Sequence, residues 1–110
     1  MAVYHIVSLK FAPGTPAENI VESLNGVAGL QKSCIHPTTN LPYIKSFVAG
    51  RNTVPKAEYT HTFIMEFDSV EDREYYMNLD PAHAAFTKVI TTGEFPLGGA
   101  QIMSFSAGDY

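Results

Sequence analysis

The chain contains no tryptophan, a single cysteine and only seven lysines and arginines in 110 residues, and each shortage closes off a class of function. With one thiol, Cys34, it has neither an intramolecular disulfide nor a multi-cysteine metal site, so nothing calls for an oxidising compartment. The seven basic residues face eleven acidic ones, the net charge is −4, and no basic tract is present to neutralise a run of phosphates. Nucleic acid and anionic membrane surfaces are therefore poor partners. No apolar run approaches the roughly 20 residues that a bilayer-spanning helix needs. The N-terminal MAVYHIVSLKF is interrupted by His5, Ser8 and Lys10 and carries no positive region ahead of it, unlike a signal peptide. The cytoplasm is the expected address. Internal repeats, nucleotide-binding fingerprints and a serine nucleophile elbow are missing too.

What is present is enough apolar matter to fold: 45% of the residues are hydrophobic and 12% aromatic, which rejects disorder, and the length suits one domain over residues 1–110. Residues 3 to 11 alternate with period two, placing Val3, His5, Val7, Leu9 and Phe11 on one side of a strand and Tyr4, Ile6, Ser8 and Lys10 on the other. Pro13 and Gly14 end it. Thr15-Pro16-Ala17-Glu18 then reads as a helix start with Thr15 as cap and Pro16 in the first helical position, running to about Gln31, with Gly26 and Gly29 as weak points. The loop-rich stretch from Lys32 to Pro42 leads into a strand over Tyr43–Ala49, and a polar connection, Gly50–Glu58, leads to the clearest strand, Tyr59–Phe67. There His61, Phe63, Met65 and Phe67 share one face. Ser69 caps a second helix to about Met77, Asp80-Pro81 starts a third, Gly98-Gly99 reads as a turn, and Ala100–Ser106 is a last strand.

This order of elements predicts an α+β, ferredoxin-like split βαβ fold, with helices on one face of a four-stranded antiparallel sheet. The first and third strands carry large apolar groups on both sides, more than a soluble monomer leaves uncovered. A homodimer whose two sheets face each other and close a barrel is the economical solution, and its shared core offers the place for a pocket.

The chemistry-bearing groups are few. His5 and His61 project among apolar strand neighbours, which fits either packed, singly hydrogen-bonded imidazoles or pocket residues. His83 falls at N3 of the third helix, where it is either held by the Asp80 carboxylate or, kept neutral by the positive helix end, serves as a general base. Tyr75 and Tyr76 lie one to two turns earlier, and a phenol there is placed to donate to a carbonyl oxygen as it gains charge. The four histidines show no metal-ligand spacing, Gly98-Gly99 precedes no helix that would present its amides to a phosphate, and Cys34 lacks a nearby cationic motif.

The segments MAVYHIVSLKF, YTHTFIMEFDSVED and DPAHAAF together resemble the stress-responsive dimeric α/β barrel (Dabb) family over nearly the whole chain, and within it the plant cyclases of the olivetolic acid cyclase type. The resemblance implies a dimeric barrel without cofactor or metal. It implies His83 of Pro81-Ala82-His83 as base and Tyr76 as its assistant, with Tyr75 in reserve because one extra residue separates the tyrosines from that motif. His5, Val7, Leu9, His61, Phe63 and Phe86 then line the substrate pocket. Ser23 and Val27 stand where those cyclases carry bulky aromatics, so a pocket of different shape is expected. The implied reaction is an intramolecular aldol cyclisation of a linear poly-β-ketone, or chemistry on another carbonyl compound. The alternatives are a non-catalytic stress-responsive oligomer with a filled interior, and a carrier of small apolar ligands.

Overall fold

The computed structural model describes all 110 residues, Met1–Tyr110. Its elements are β1 (Val3–Phe11), α1 (Ala17–Ser33), β2 (Ser46–Arg51), β3 (His61–Phe67), α2 (Val70–Asn78), α3 (Pro81–Thr92) and β4 (Leu97–Ser106). The strands form one antiparallel sheet in the order β2-β3-β1-β4, the ferredoxin-like arrangement anticipated from the alternation of periods. Register explains why β1 and β3 form the centre. Val3 opposes Phe67, His5 opposes Met65, and Val7 opposes Phe63, so the apolar faces of both strands coincide. That face, with Val27 and Leu30 of α1 and Tyr76 of α2, makes the core.

Several boundaries differ from the sequence reading. Thr15 does not cap α1: its hydroxyl donates to the Ala12 carbonyl at 2.6 Å and closes the turn at Pro13-Gly14, so the helix begins at Ala17 with Pro16 still extended. β2 starts at Ser46 because Tyr43 and Ile44 turn into the core instead, and Pro42 is taken up in a bridge with Ile35. Gly98-Gly99 is not a turn but the start of β4. A Cβ on Gly98 would lie 3.1 Å from Lys10 O and Ala12 N, and the register shifts there, between Lys10 and Phe11. Backbone passes close to backbone there, and glycine leaves room that a side chain would crowd.

The other caps are as read. Asp72 N–H donates to Ser69 Oγ at 3.1 Å, and Ala82 N–H donates to Asp80 Oδ1 at 2.9 Å. The loop after α1 is pinned by His36. Thr38 N–H donates to its Nδ1 at 3.1 Å, which leaves the proton on Nε2 to face Asp72 Oδ1 at 3.1 Å.

The second face of the sheet carries no helix. Tyr4, Ile6, Ile64, Val48, Met103 and Phe105 meet on it by register, and Val48, Met103 and Phe105 are at least half exposed. No helix is long and apolar enough to cross a membrane.

Candidate active site

A cavity of about 200 Å³ lies between the sheet and the helices of a single chain, and 13 of its 18 lining residues are hydrophobic. This corrects the placement expected from the sequence, a pocket in the core shared by two subunits. β1 and β3 point their large groups at the helices, and small residues on α1 leave the space unfilled. Ser23 and Val27 line the cavity where aromatic side chains would occupy it. Gly26, beside them, lets the Phe86 ring lie against α1. A Cβ on it would come within 2.5 Å of that ring.

The structure brings together His5, Val7, Leu9, Phe63, Tyr76, His83 and Phe86 around this cavity. His61 is not among them. It is buried one register step farther along β3, edge-on to Phe11 at 5.5 Å, with Nδ1 2.8 Å from Thr60 Oγ1. Tyr75 also stands apart, packed against His36 and Tyr43. Residues of the chain's last third also contribute to the wall: Ile90, Phe95, Leu97, Ala100 and Ile102. A partial signal for them was available, since Ala100 and Ile102 share a period-two face and pair with Leu9 and Val7.

Tyr76 and His83 form the polar centre. Their ring centroids are 4.1 Å apart with planes tilted by 33°, a stacked arrangement between the last turns of α2 and the first of α3. His83 also borders an outer cleft with Asp80, Thr87 and Lys88, so its imidazole is accessible from solvent and from the cavity. Its ring is not held by the cap carboxylate. Asp80 accepts from Ala82 N–H and from the Tyr43 hydroxyl, while His83 Nε2 lies 3.4 Å from Thr87 Oγ1. Burial lowers the pKa of His83 below the usual histidine range, against the opposing pull of the Asp80 charge and the Tyr76 backbone, so the imidazole is neutral at pH 7. Burial raises the phenol of Tyr76, which stays protonated and able to donate. His5, edge-on to Tyr76 at 5.8 Å, is depressed to about 4, chiefly by burial and then by the Arg73 charge. Cys34 is fully buried at the end of α1, and burial followed by the Asp80 carboxylate pushes its thiol up to about 12, which makes it unreactive. No cluster of three or more potential metal ligands is present.

A family model described as the stress responsive A/B barrel domain, Dabb, matches residues 3–92. The chain belongs to the Dabb family. No curated protein matches this Dabb chain. Solved structures share its fold. The hydroxynitrile lyase of Passiflora edulis superposes with a TM-score of 0.76 at 19% identity, covering 94% of this chain and 91% of that one. A dimeric ferredoxin-like protein of unknown function from Thermobifida fusca gives 0.72 at 16% identity, covering 96% and 91%. SnoaB, a cofactor-independent oxygenase from Streptomyces nogalater, gives 0.67 at 12% identity, covering 99% and 95%. The fold thus hosts a lyase, an oxygenase and proteins without known activity, and fold alone does not choose among them.

Proposed function

We propose that this Dabb protein is a cofactor-independent enzyme that catalyses intramolecular aldol cyclisation of a poly-β-keto substrate, with His83 as base and Tyr76 as hydrogen-bond donor. The single observation that carries the reading is an imidazole lying against a phenol at the wall of an apolar cavity, where burial favours the uncharged form of both. Protons on a carbon between two carbonyls are acidic enough for a neutral imidazole to remove one. The carbanion attacks a distant carbonyl carbon of the same chain, a carbon–carbon bond forms, and the electron pair of that carbonyl moves onto its oxygen. The Tyr76 hydroxyl stabilises the developing alkoxide, and the proton held on His83 returns to that oxygen. The apolar walls from Val7, Leu9, Phe63 and Phe86 fold the flexible chain so that its ends meet intramolecularly.

The working form in this proposal is a homodimer joined through the open sheet face, as the dimeric description of the Thermobifida neighbour supports. The partner covers apolar surface, while the cavity belongs to each subunit.

The test is turnover of a linear tri- or tetraketide, offered as the free acid and as its thioester, followed by product analysis. His83→Ala should lower kcat at least about a hundredfold, the usual contribution of a general base. Tyr76→Phe should lower it by roughly tenfold or more, the worth of one hydrogen bond to a charged group. Full activity in His83→Ala removes the assigned base. A substrate that binds wild type tightly and is recovered unchanged makes the protein a carrier.

A further inference from the structure

His5 is the wall between two spaces. On one side its ring borders the apolar cavity, and on the other it borders an outer cleft formed by Arg73, Glu74, Met77, Asn78, Ile102 and Ser104. Two of the residues lining this cleft each bury a polar atom without any hydrogen-bond partner: Nδ1 of His5, a residue only 2% exposed, and Nε of Arg73. A buried polar group left unpaired is costly, so two of them on side chains lining one cleft mark a place short of a polar partner.

The chemistry of the pair narrows that atom. Arg73 Nε–H is a permanent donor on a permanent cation. Glu74 occupies only the outer edge of the guanidinium, through Nη2 at 2.8 Å, and this carboxylate is itself 56% exposed. Neutral His5 donates from Nδ1 in the tautomer that protonates that nitrogen. The remaining polar groups of the cleft are already engaged, since Ser104 Oγ donates to Tyr4 O at 3.1 Å and Asn78 Nδ2 donates to Glu74 Oε2 at 2.9 Å. An acceptor carrying negative charge is the partner that both of these side chains lack. Met77 and Ile102 line both spaces, so the two lie side by side with only these side chains and His5 between them.

We infer that the cleft between β1, β4 and α2 is a carboxylate subsite, in which Arg73 and His5 hold the head of an acid whose apolar tail lies in the adjoining cavity. The inference deepens the proposed function by naming the substrate class, an acid with an apolar tail, but it does not depend on His83 acting as a base.

Calorimetric titration with hexanoate and with hexanamide, which has the same tail and no charge, tests it at pH 7.5. Wild type should bind hexanoate at least about tenfold more tightly than the amide, the ratio a charged hydrogen bond supplies. Arg73→Gln should remove that preference while binding hexanamide as wild type does, which also shows that the variant is folded. Acetate, lacking the tail, should bind far more weakly than hexanoate. Equal affinity for acid and amide in wild type overturns the inference, as does a preference that survives Arg73→Gln or an acetate affinity equal to that of hexanoate. His83→Ala should keep the preference, so failure of the subsite and failure of the catalytic assignment are read separately.

Discussion

The hydroxyl of Tyr43 donates to Oδ2 of Asp80, and the other oxygen of the same carboxylate accepts the Ala82 N–H that opens α3. Both residues are about 97% buried or more. A phenol from the segment before β2 thus fixes the start of the helix that carries His83, from 37 residues away in sequence. Burial and the neighbouring carboxylate raise the Tyr43 phenol, so it remains a donor at any physiological pH. Tyr43→Phe should lower unfolding stability by about 1–3 kcal/mol, the cost of leaving a buried acceptor unpaired. A urea midpoint unchanged from wild type would show that the bond contributes nothing.

Acid should destabilise the protein through its buried histidines. The folded-state pKa of His5 lies near 4, while an unfolded histidine titrates near the ordinary 6.5. Between those values the unfolded chain takes up a proton that the folded chain refuses, so stability falls as pH drops from about 6.5 towards 4 and is flat above it. His61 and His83, both depressed by burial, add to the same slope. The full His5 contribution is about 3 kcal/mol. Denaturation at pH 7.5 and pH 4.5 checks it: His5→Gln should lose markedly less stability across that interval than wild type, and an identical loss in the two proteins would contradict the assignment.

Gly26 sets the cavity's shape through Phe86. A methyl group at position 26 must displace the ring, because its nearest atom would lie at 2.5 Å. Gly26→Ala should therefore cost about 1–3 kcal/mol through overpacking, partly offset by about 1 kcal/mol of helix propensity. The displaced ring should shift the preferred tail length of apolar acids by one or two carbons. Measured affinities for a homologous series that match those of wild type would mean that the ring moves away from the cavity.

The open sheet face predicts association. Met103, 65% exposed, lies on it in the edge strand β4, opposite Ile6. Met103→Lys should change the stability of one subunit little and shift a micromolar solution from dimer to monomer, as read by sedimentation. A wild-type protein that sediments as a monomer at tens of micromolar would remove the proposed interface.

Periodicity was enough to read β1 and β3 and their two faces, because alternation in a strand directly states which residues point together. The caps at Ser69 and Asp80 were equally legible, since a cap is a bond between residues two or three apart. Thr15 and the Gly98-Gly99 pair differ from their reading for separate reasons: Thr15 bonds back to the Ala12 carbonyl and not forward into the helix, and Gly98 answers to the backbone at Lys10 and Ala12, far away in sequence.

Local spacing and composition determined that the chain would fold as strand and helix in this order, with His83 in the first turn of α3 and imidazoles on an apolar strand face. Only the tertiary structure decided that the cavity lies inside one subunit, that Tyr76 and not Tyr75 faces it, and that His61 falls outside it. These are outcomes of volume: the space left between sheet and helices depends on every side chain that enters it. Pairs such as Gly26 with Phe86, or Tyr43 with Asp80, come together only when the chain has closed.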